Sequence, residues 1–397
     1  MDYDKYLSTR AKDIKPSGIR KFFDIVQKNK NAISLGVGEP DFDTPWSGRN
    51  FAMSAIRKGY THYTSNWGLP ELRRAITRFY KERYKLEYNP ENEVIVTIGA
   101  SEAVDISLRA LLNVGDEVLV PDPSYVSYVP CVELCGGKPV PIPCTAETGF
   151  KITPEHLKKV ITDKTKVIIL SYPNNPTGVV MEKSDYELIA PLIIENDLIV
   201  ISDEIYSELT YGMEHTSPAL VEGLKERTII VNGFSKFFAM TGWRLGYVLA
   251  PEAICRVMIK IHQYAIMCAP TMCQYAGLAC LNDCFENDYS TIREMREEYD
   301  KRRRYILNEL KLLGFKCVEP RGAFYVFAGV DGFGMDGEEF AKKLFDSEWV
   351  AVVPGSSFGE SGKNFVRISY AYSLNDIEKA LKRIRVFIDK LNKRDGE

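Results

Sequence analysis

The chain has 397 residues, 45% hydrophobic and 26% charged, with a formal net charge of −3. That is an ordinary globular composition, long enough for a sizeable core in two or three domains or in one large α/β domain with an appendage. Lysine and arginine are spread along the chain, so no basic footprint points to nucleic acid; the one dense cluster, Lys301–Arg304, falls in a polar helical pattern and reads as a solvated face. No stretch approaches the roughly 18 apolar residues of a membrane span. The opening "MDYDKYLSTRAKDIK" lacks the apolar core of a secretory signal. Nine cysteines, an odd number, include Cys268, Cys273, Cys280 and Cys284 at helical spacing. With no C-x-x-C pair or nearby histidine, no metal site is expected, and these read as buried free thiols of a reduced, cytoplasmic protein.

The first forty-odd residues, with Pro16, Gly18, Gly36, Gly38 and Pro40, read as a connecting segment. From about residue 93 strand, turn and helix alternate. "EVIVTI" is followed by "GAS" and the helical "EAVDISLRALL"; "DEVLVP" ends in "DPSY"; "KVIILS" ends in "YPNNPTG"; "DLIVISDE" and "RTIIVNGFSK" follow, with helical stretches such as "SDYELIAPLIIEN" between. The strands are apolar at nearly every position, as strands covered on both faces are. The intervals from Asn175 to Asp203 and from Asp203 to Lys236 are each about thirty residues, the length of a βαβ unit. After Cys284 a long helix carries Ile292, Met295, Tyr299, Ile306, Leu310 and Leu313 at helical spacing, with Gly314 as its cap. Short alternating runs, "AFYVFAGV" and "NFVRISYAY", and a closing helix complete the chain. The expected fold class is α/β: a large domain over 46–285 with a mostly parallel sheet covered by helices on both faces. A smaller α+β domain over 286–397 is joined by a segment, 1–45, that packs with it.

In open parallel sheets ligands bind beyond the carboxyl ends of the strands. There the first strand delivers Gly99, Ala100 and Ser101 at a helix start, the second Tyr125, the third Asn174–Gly178, the fourth Asp203 and Tyr206, and the fifth Ser235 and Lys236, then Arg244. Each has an ordinary structural use on its own: Ser101 as a helix cap, Asp203 as a turn residue, Tyr125 as a core aromatic beside Tyr128, Lys236 as a snorkelling cation. There is no G-x-G-x-x-G or G-x-x-x-x-G-K-[ST] for a dinucleotide or nucleoside triphosphate. Together, a lysine for a Schiff base, an acid for a pyridinium nitrogen and anion binders for a phosphate make the set that pyridoxal 5'-phosphate requires.

Six collinear stretches from about residue 33 to 372 resemble motifs of the class I/II pyridoxal-phosphate aminotransferases of fold type I. They are "GVGEPDFDTP", "HYTSNWGLPELR", "YPNNPTG", "SDEIY", "SKFFAMTGWRLG" and "NFVRISYA". The style of "GEPDFDTP" is similar to the subgroup holding aspartate, aromatic and broad-specificity enzymes. The resemblance implies Lys236 as the Schiff-base lysine and proton carrier, and Asp203 as partner of the pyridinium nitrogen. It implies Tyr206 and Asn175 on the phenolic oxygen and Tyr125 stacked on the ring. The phosphate falls to Ala100, Ser101, Ser235 and Arg244, with Tyr63 supplied by the neighbouring subunit of a homodimer. Arg367, helped by Asn175 and the backbone of Gly38, would hold the substrate carboxylate, as a guanidinium fork suits.

The implied reaction is ping-pong transfer of the α-amino group of an L-amino acid, aspartate and/or aromatic, to 2-oxoglutarate. The alternative on the same fold is a pyridoxal-phosphate β-lyase of the C–S lyase type, which Arg244 and Arg367 do not separate from transamination. A regulator carrying such a domain behind a DNA-binding module is disfavoured, because only about thirty residues precede "ISLGVGEPDFDTP", too few for a winged helix. No second arginine sits in a motif that would mark a dicarboxylate-only enzyme.

Overall fold

The computed structural model describes residues 1–16 and 31–394; Gly18, read above as part of the connecting segment, lies outside them. Among the described residues thirteen strands follow in chain order. They are β1 (Ile33–Ser34), β2 (Val94–Thr97), β3 (Glu117–Asp122), β4 (Lys138–Pro143), β5 (Thr165–Ser171), β6 (Ile199–Asp203), β7 (Thr228–Gly233), β8 (Gly246–Leu249), β9 (Lys316–Cys317), β10 (Tyr325–Gly329), β11 (Val350–Ala351), β12 (Val353–Pro354) and β13 (Phe365–Ser369).

Seven of them form one sheet in the order β2-β8-β7-β6-β5-β3-β4. All pairs are parallel except those of β8, which runs against both β2 and β7. The sheet needs covering on both sides because successive side chains of each strand point to opposite faces. Val94 and Val96 enter one apolar cluster with Leu72, Ile76 and Phe79 of the helix Pro70–Tyr84. Ile95, between them, enters another with Ala103 and Ile106 of the helix Gly99–Leu111 and Met258 of the helix Glu252–Ala265. The mostly parallel sheet is thus as expected, with two strands added that the pattern did not disclose. β4 carries Pro139, Pro141 and Pro143 and reads as a breaker, yet it lies at the sheet edge, where a missing N–H is tolerated. β8 is only four residues long and hides inside the stretch after Lys236.

The C-terminal part is a four-stranded antiparallel sheet, β12-β13-β10-β9, packed with the helices Ser290–Leu312, Gly337–Glu348 and Leu374–Arg394 in one core. Gly314 has φ +92 and follows the long helix, as its cap assignment requires. The N-terminal segment divides its contacts. β1 pairs in parallel with β11 of the C-terminal part, whereas the helix Thr9–Asp13 lies against Tyr128–Leu134, with the Arg10 guanidinium over Gly136.

The reading of Lys301–Arg304 as a solvated face holds for Lys301 and Arg304 but not for the two between them. Arg302 and Arg303 are buried, on the helix face shared with Tyr299 and Ile306. Arg302 Nη1 donates to both oxygens of Asp41 at 2.9 and 2.7 Å, and Arg303 Nη1 donates to Glu319 at 2.8 Å. Burial of a guanidinium is tolerated because each is paired. The helical cysteine pattern is likewise shorter than read: Cys280 and Cys284 are buried in the helix Thr271–Glu286, while Cys268 precedes it.

One packing constraint sets up the crevice. Gly246 opens β8 directly beneath the start of the helix at Gly99, where an added Cβ would stand 2.6 Å from the Ala100 nitrogen. Gly246→Val is expected to lower stability by about 1–3 kcal/mol through overpacking, read as a drop in the urea midpoint; an unchanged midpoint would contradict this close approach.

Candidate active site

Lys236 sits on the turn after β7. The turn is fixed to the core by Phe234, Phe237 and Phe238, all buried, and Phe237 stacks on Phe79 with ring centroids 5.8 Å apart. Lys236 Nζ donates to the Gly38 carbonyl at 2.7 Å and lies 5.8 Å from the ring centroids of Tyr206 and Phe324. Burial lowers its pKa to about 8; Glu39 and Asp203 oppose the shift, and Arg367 and Arg244 reinforce it.

Asp203 ends β6, opposite Ser171 of β5, and is 6% exposed. Its Oδ2 accepts from the Tyr128 hydroxyl at 2.7 Å and its Oδ1 from the Ile205 N–H at 3.1 Å. Burial raises its pKa to about 6, against the pull of those two bonds. Next to it, Glu204 is fully buried, accepting from Ser202 at 2.9 Å and Ser217 at 2.5 Å, with His215 Nε2 at 3.0 Å.

Arg367 comes from the middle of β13 and is 2% exposed. Its Nη1 donates to Asn175 Oδ1 at 2.8 Å and its Nη2 to the Gly36 carbonyl at 2.6 Å, while Nε is buried without a partner. The guanidinium carbon lies 4.4 Å from the Tyr325 ring centroid and 4.8 Å from that of Phe358. Tyr206 and Tyr325 share a hydrogen bond between their hydroxyls at 2.8 Å. Gly38 is held close to the same hydroxyl: an added Cβ would collide with Tyr325 Oη.

A fourth feature is the start of the helix Gly99–Leu111. Its N-cap is Ile98, whose side chain accepts no hydrogen bond, so the first-turn N–H groups of Gly99, Ala100 and Ser101 are open to an anion. Arg244, at φ +52, lays its guanidinium over this point: a Cβ on Gly99 would stand 2.8 Å from Arg244 Nη2. Ser235 is buried beside Lys236 on its turn. Tyr125 meets the Tyr128 ring edge-on at 5.6 Å. Tyr63 is 81% exposed, on a loop held through the Thr271 hydroxyl's bond to the His62 carbonyl and the Gln274 amide's bond to Thr64.

The structure therefore brings Lys236, Asp203, Tyr206, Asn175, Gly38 and Arg367 into one crevice, with Arg244 over Gly99 at its rim, and leaves Tyr63 exposed on the surface. Sequence reasoning overlooked Tyr128 as the donor to Asp203, Tyr325 altogether, and Gly36 and Glu39 as neighbours of the two cations. The signal for Tyr325 was the alternation of "AFYVF", which places it on the same face of β10 as Phe327. The other partners become visible only when distant segments meet. Among the described residues no group of three or more His, Cys, Asp or Glu side chains could hold a metal ion, and no helix is long and apolar enough to cross a membrane.

This donor set fits pyridoxal phosphate: an open helix start beside a guanidinium suits its phosphate, a half-buried amine of lowered pKa its aldehyde, and a buried anchored carboxylate its ring nitrogen. Fold and crevice together are those of a pyridoxal-phosphate-dependent enzyme, and its relatives make it a transaminase. The chain belongs to the family described as aminotransferase class I and II, whose profile matches residues 30–384. An aspartate aminotransferase of Pyrococcus abyssi is 46% identical over 95% of this chain and 97% of its own. The aromatic-amino-acid aminotransferase 2 of Thermococcus litoralis is 42% identical over 95% and 97%. The crystal structure of an aromatic aminotransferase from Pyrococcus horikoshii superposes with a TM-score of 0.88 at 44% identity, covering 94% of this chain and 99% of that one.

The raised pKa of Asp203 carries a stability consequence. Its ordinary value is 3.8 and its folded value about 6, so across that interval the folded chain holds a proton the unfolded chain has lost, and stability falls as pH rises. The cofactor-free Asp203→Asn protein is expected to be more stable than wild type above about pH 6, by up to roughly 3 kcal/mol. That margin should shrink on acidification, as urea titrations at pH 5 and pH 8 would show; an equal margin at both would count against a buried, titrating Asp203.

Proposed function

We propose that this transaminase moves the α-amino group of aspartate and/or an aromatic L-amino acid to 2-oxoglutarate in a ping-pong sequence, the first oxo acid leaving before the second binds. The observation that carries the reading is the placement of Lys236 Nζ, an amine of lowered pKa, at the Gly38 carbonyl, with Arg367 among the charges that lower it. The substrate classes are those named for the relatives at 46% and 42% identity.

The roles divide between the two parts of the chain, taken as a large cofactor-binding unit over 46–285, a small unit over 286–397 and a segment, 1–45, that joins the small unit through β1. Bound pyridoxal phosphate supplies the aldehyde that captures the amino group and the conjugated ring that takes up the electron pair released at the substrate Cα. Asp203, fixed by Tyr128 and Ile205, holds a negative charge against the ring nitrogen. Tyr206 and Asn175 donate to the phenolic oxygen, and Tyr125 covers the ring. Ala100, Ser101, Ser235 and Arg244 hold the phosphate.

Arg367 takes the substrate carboxylate. Its Nη1 and Nη2 each already donate one bond, to Asn175 and Gly36, and Nε has no partner among the described residues, so the fork is oriented before the substrate arrives and little ordering is lost on binding. The Gly38 backbone contributes to the same hold. Lys236 Nζ, uncharged in a large fraction near pH 8, accepts the Cα proton and returns it on the other side of the transfer.

We place the active form as a homodimer in which Tyr63 of each subunit reaches the phosphate of the other. In support, Tyr63 is 81% exposed, and other large apolar side chains, among them Trp46 at 62% and Tyr264 at 87%, are exposed as well. A reducing, cytoplasmic setting suits nine free cysteines.

Lys236→Ala should abolish both turnover and the visible absorption band of the bound cofactor; retention of either defeats the assignment. In wild type, an amino acid added without an oxo acid should yield stoichiometric pyridoxamine phosphate, whereas ammonia and pyruvate release would mark a β-lyase instead. Arg367→Lys, which keeps the charge but loses the fork, should raise the KM for amino donor by about tenfold or more, with cofactor affinity unchanged, as steady-state kinetics and cofactor titration can separate.

A further inference from the structure

His262 is fully buried in the helix Glu252–Ala265 and has no part in the roles above. Its Nδ1 lies 2.6 Å from Glu102 Oε1, in the first turn of the helix Gly99–Leu111. The other carboxylate oxygen, Oε2, accepts the Ile98 N–H at 2.5 Å. Ile98 is the last residue before Gly99, whose φ of +69 turns the chain from β2 into that helix. The carboxylate therefore fixes the peptide from which the first turn springs, and it does so without occupying the Gly99, Ala100 and Ser101 N–H groups.

A carboxylate at this place has a cost. It favours the helix N-terminus, but it stands one turn from where a phosphate would dock, and like charges repel. It is also within a turn of the helix start over which the Arg244 guanidinium lies. Left with one anchor, Glu102 would be free to swing towards that cation. The imidazole supplies the second anchor. Among the described residues His262 Nε2 is buried with no partner, so the polar engagement of the ring with them is through Nδ1, directed at Glu102. A buried ring nitrogen left unsatisfied is uncommon, and it indicates that the ring is placed for its contact with Glu102 rather than for a wider structural network.

We propose that Glu102 and His262 are a positioning pair for phosphate binding: His262 holds Glu102 on the Ile98 peptide and away from Arg244, so that the helix start and the guanidinium stay available to the anion. This rests on the reading of Gly99–Ser101 and Arg244 as the phosphate site. The pair touches neither substrate nor cofactor ring; it acts through the cradle.

The test compares two ligands of the cofactor-free enzyme by absorbance titration: pyridoxal phosphate, and pyridoxal, which lacks the phosphate. His262→Ala is expected to raise the Kd of pyridoxal phosphate by about tenfold or more, to leave that of pyridoxal within about twofold, and to weaken competition by inorganic phosphate. His262→Asn, whose amide can donate from near the Nδ1 position, should recover most of the loss. Should the alanine variant not fold, His262→Gln keeps the volume, moves the donor one bond away and carries the same expectation. Equal weakening of both ligands, or no weakening of either, overturns the proposal. Arg244→Ala separates the two layers of argument. If it changes the ratio of the two affinities while His262→Ala does not, only the positioning pair is lost; if Arg244→Ala leaves the ratio unchanged, the phosphate-site reading itself is wrong.

Discussion

Two cations, the buried Arg367 and the half-buried Lys236, share this crevice, and most of its architecture answers to them. Lys236 and Arg367 lie close enough that Arg367 depresses the pKa of Lys236, and among the described residues neither is paired with a carboxylate. Their hydrogen-bond acceptors are instead neutral: the Gly38 carbonyl for the amine, the Gly36 carbonyl and Asn175 amide oxygen for the guanidinium. Neutral acceptors engage some of the N–H groups without cancelling the charge, as the roles proposed for both cations require. Glu39 is the nearest compromise, and its carboxylate is engaged by the Thr241 hydroxyl.

That choice explains why a short N-terminal stretch matters so much to a site otherwise made by the large sheet. Residues 36–38 supply two backbone acceptors, and the stretch is held from behind by the Tyr372 hydroxyl, which accepts the Val37 N–H at 3.1 Å, and by Arg302 clasping Asp41. The buried arginine misread as surface is thus part of the scaffold that places the crevice's acceptors. The small sheet provides Arg367 and Tyr325, the large sheet Asp203 and Lys236, and the N-terminal stretch meets both.

What the sequence disclosed follows a physical division. Strands buried on both faces are apolar throughout, so β2, β3, β5, β6 and β7 could be read, and the residues just beyond them followed from the rule for parallel sheets. β8 was hidden because four residues carry too little pattern, and β4 because its prolines argue against a strand unless its edge position is known. In the site, residues within contiguous motifs were legible: Lys236, Asp203, Asn175, Arg367. Tyr128, Tyr325, Gly36 and the Glu102–His262 pair were not, because each acquires its role from a partner far away in the chain; Glu102 and His262 are 160 positions apart.

The reversed strand β8 has a consequence for how such an enzyme comes into being. It lies between β2 and β7, and its first residue supports the helix start that β2 feeds. The anion cradle is therefore assembled from three strands of which the middle is translated last. No cradle exists while the ribosome is still short of residue 249, and one appears when that insertion closes the sheet. A ligand that binds only the completed arrangement stabilises nothing earlier on the route. On the phosphate site proposed above, capture of the cofactor reports that the sheet has closed, which makes it an inspector of the finished protein rather than a template for folding it.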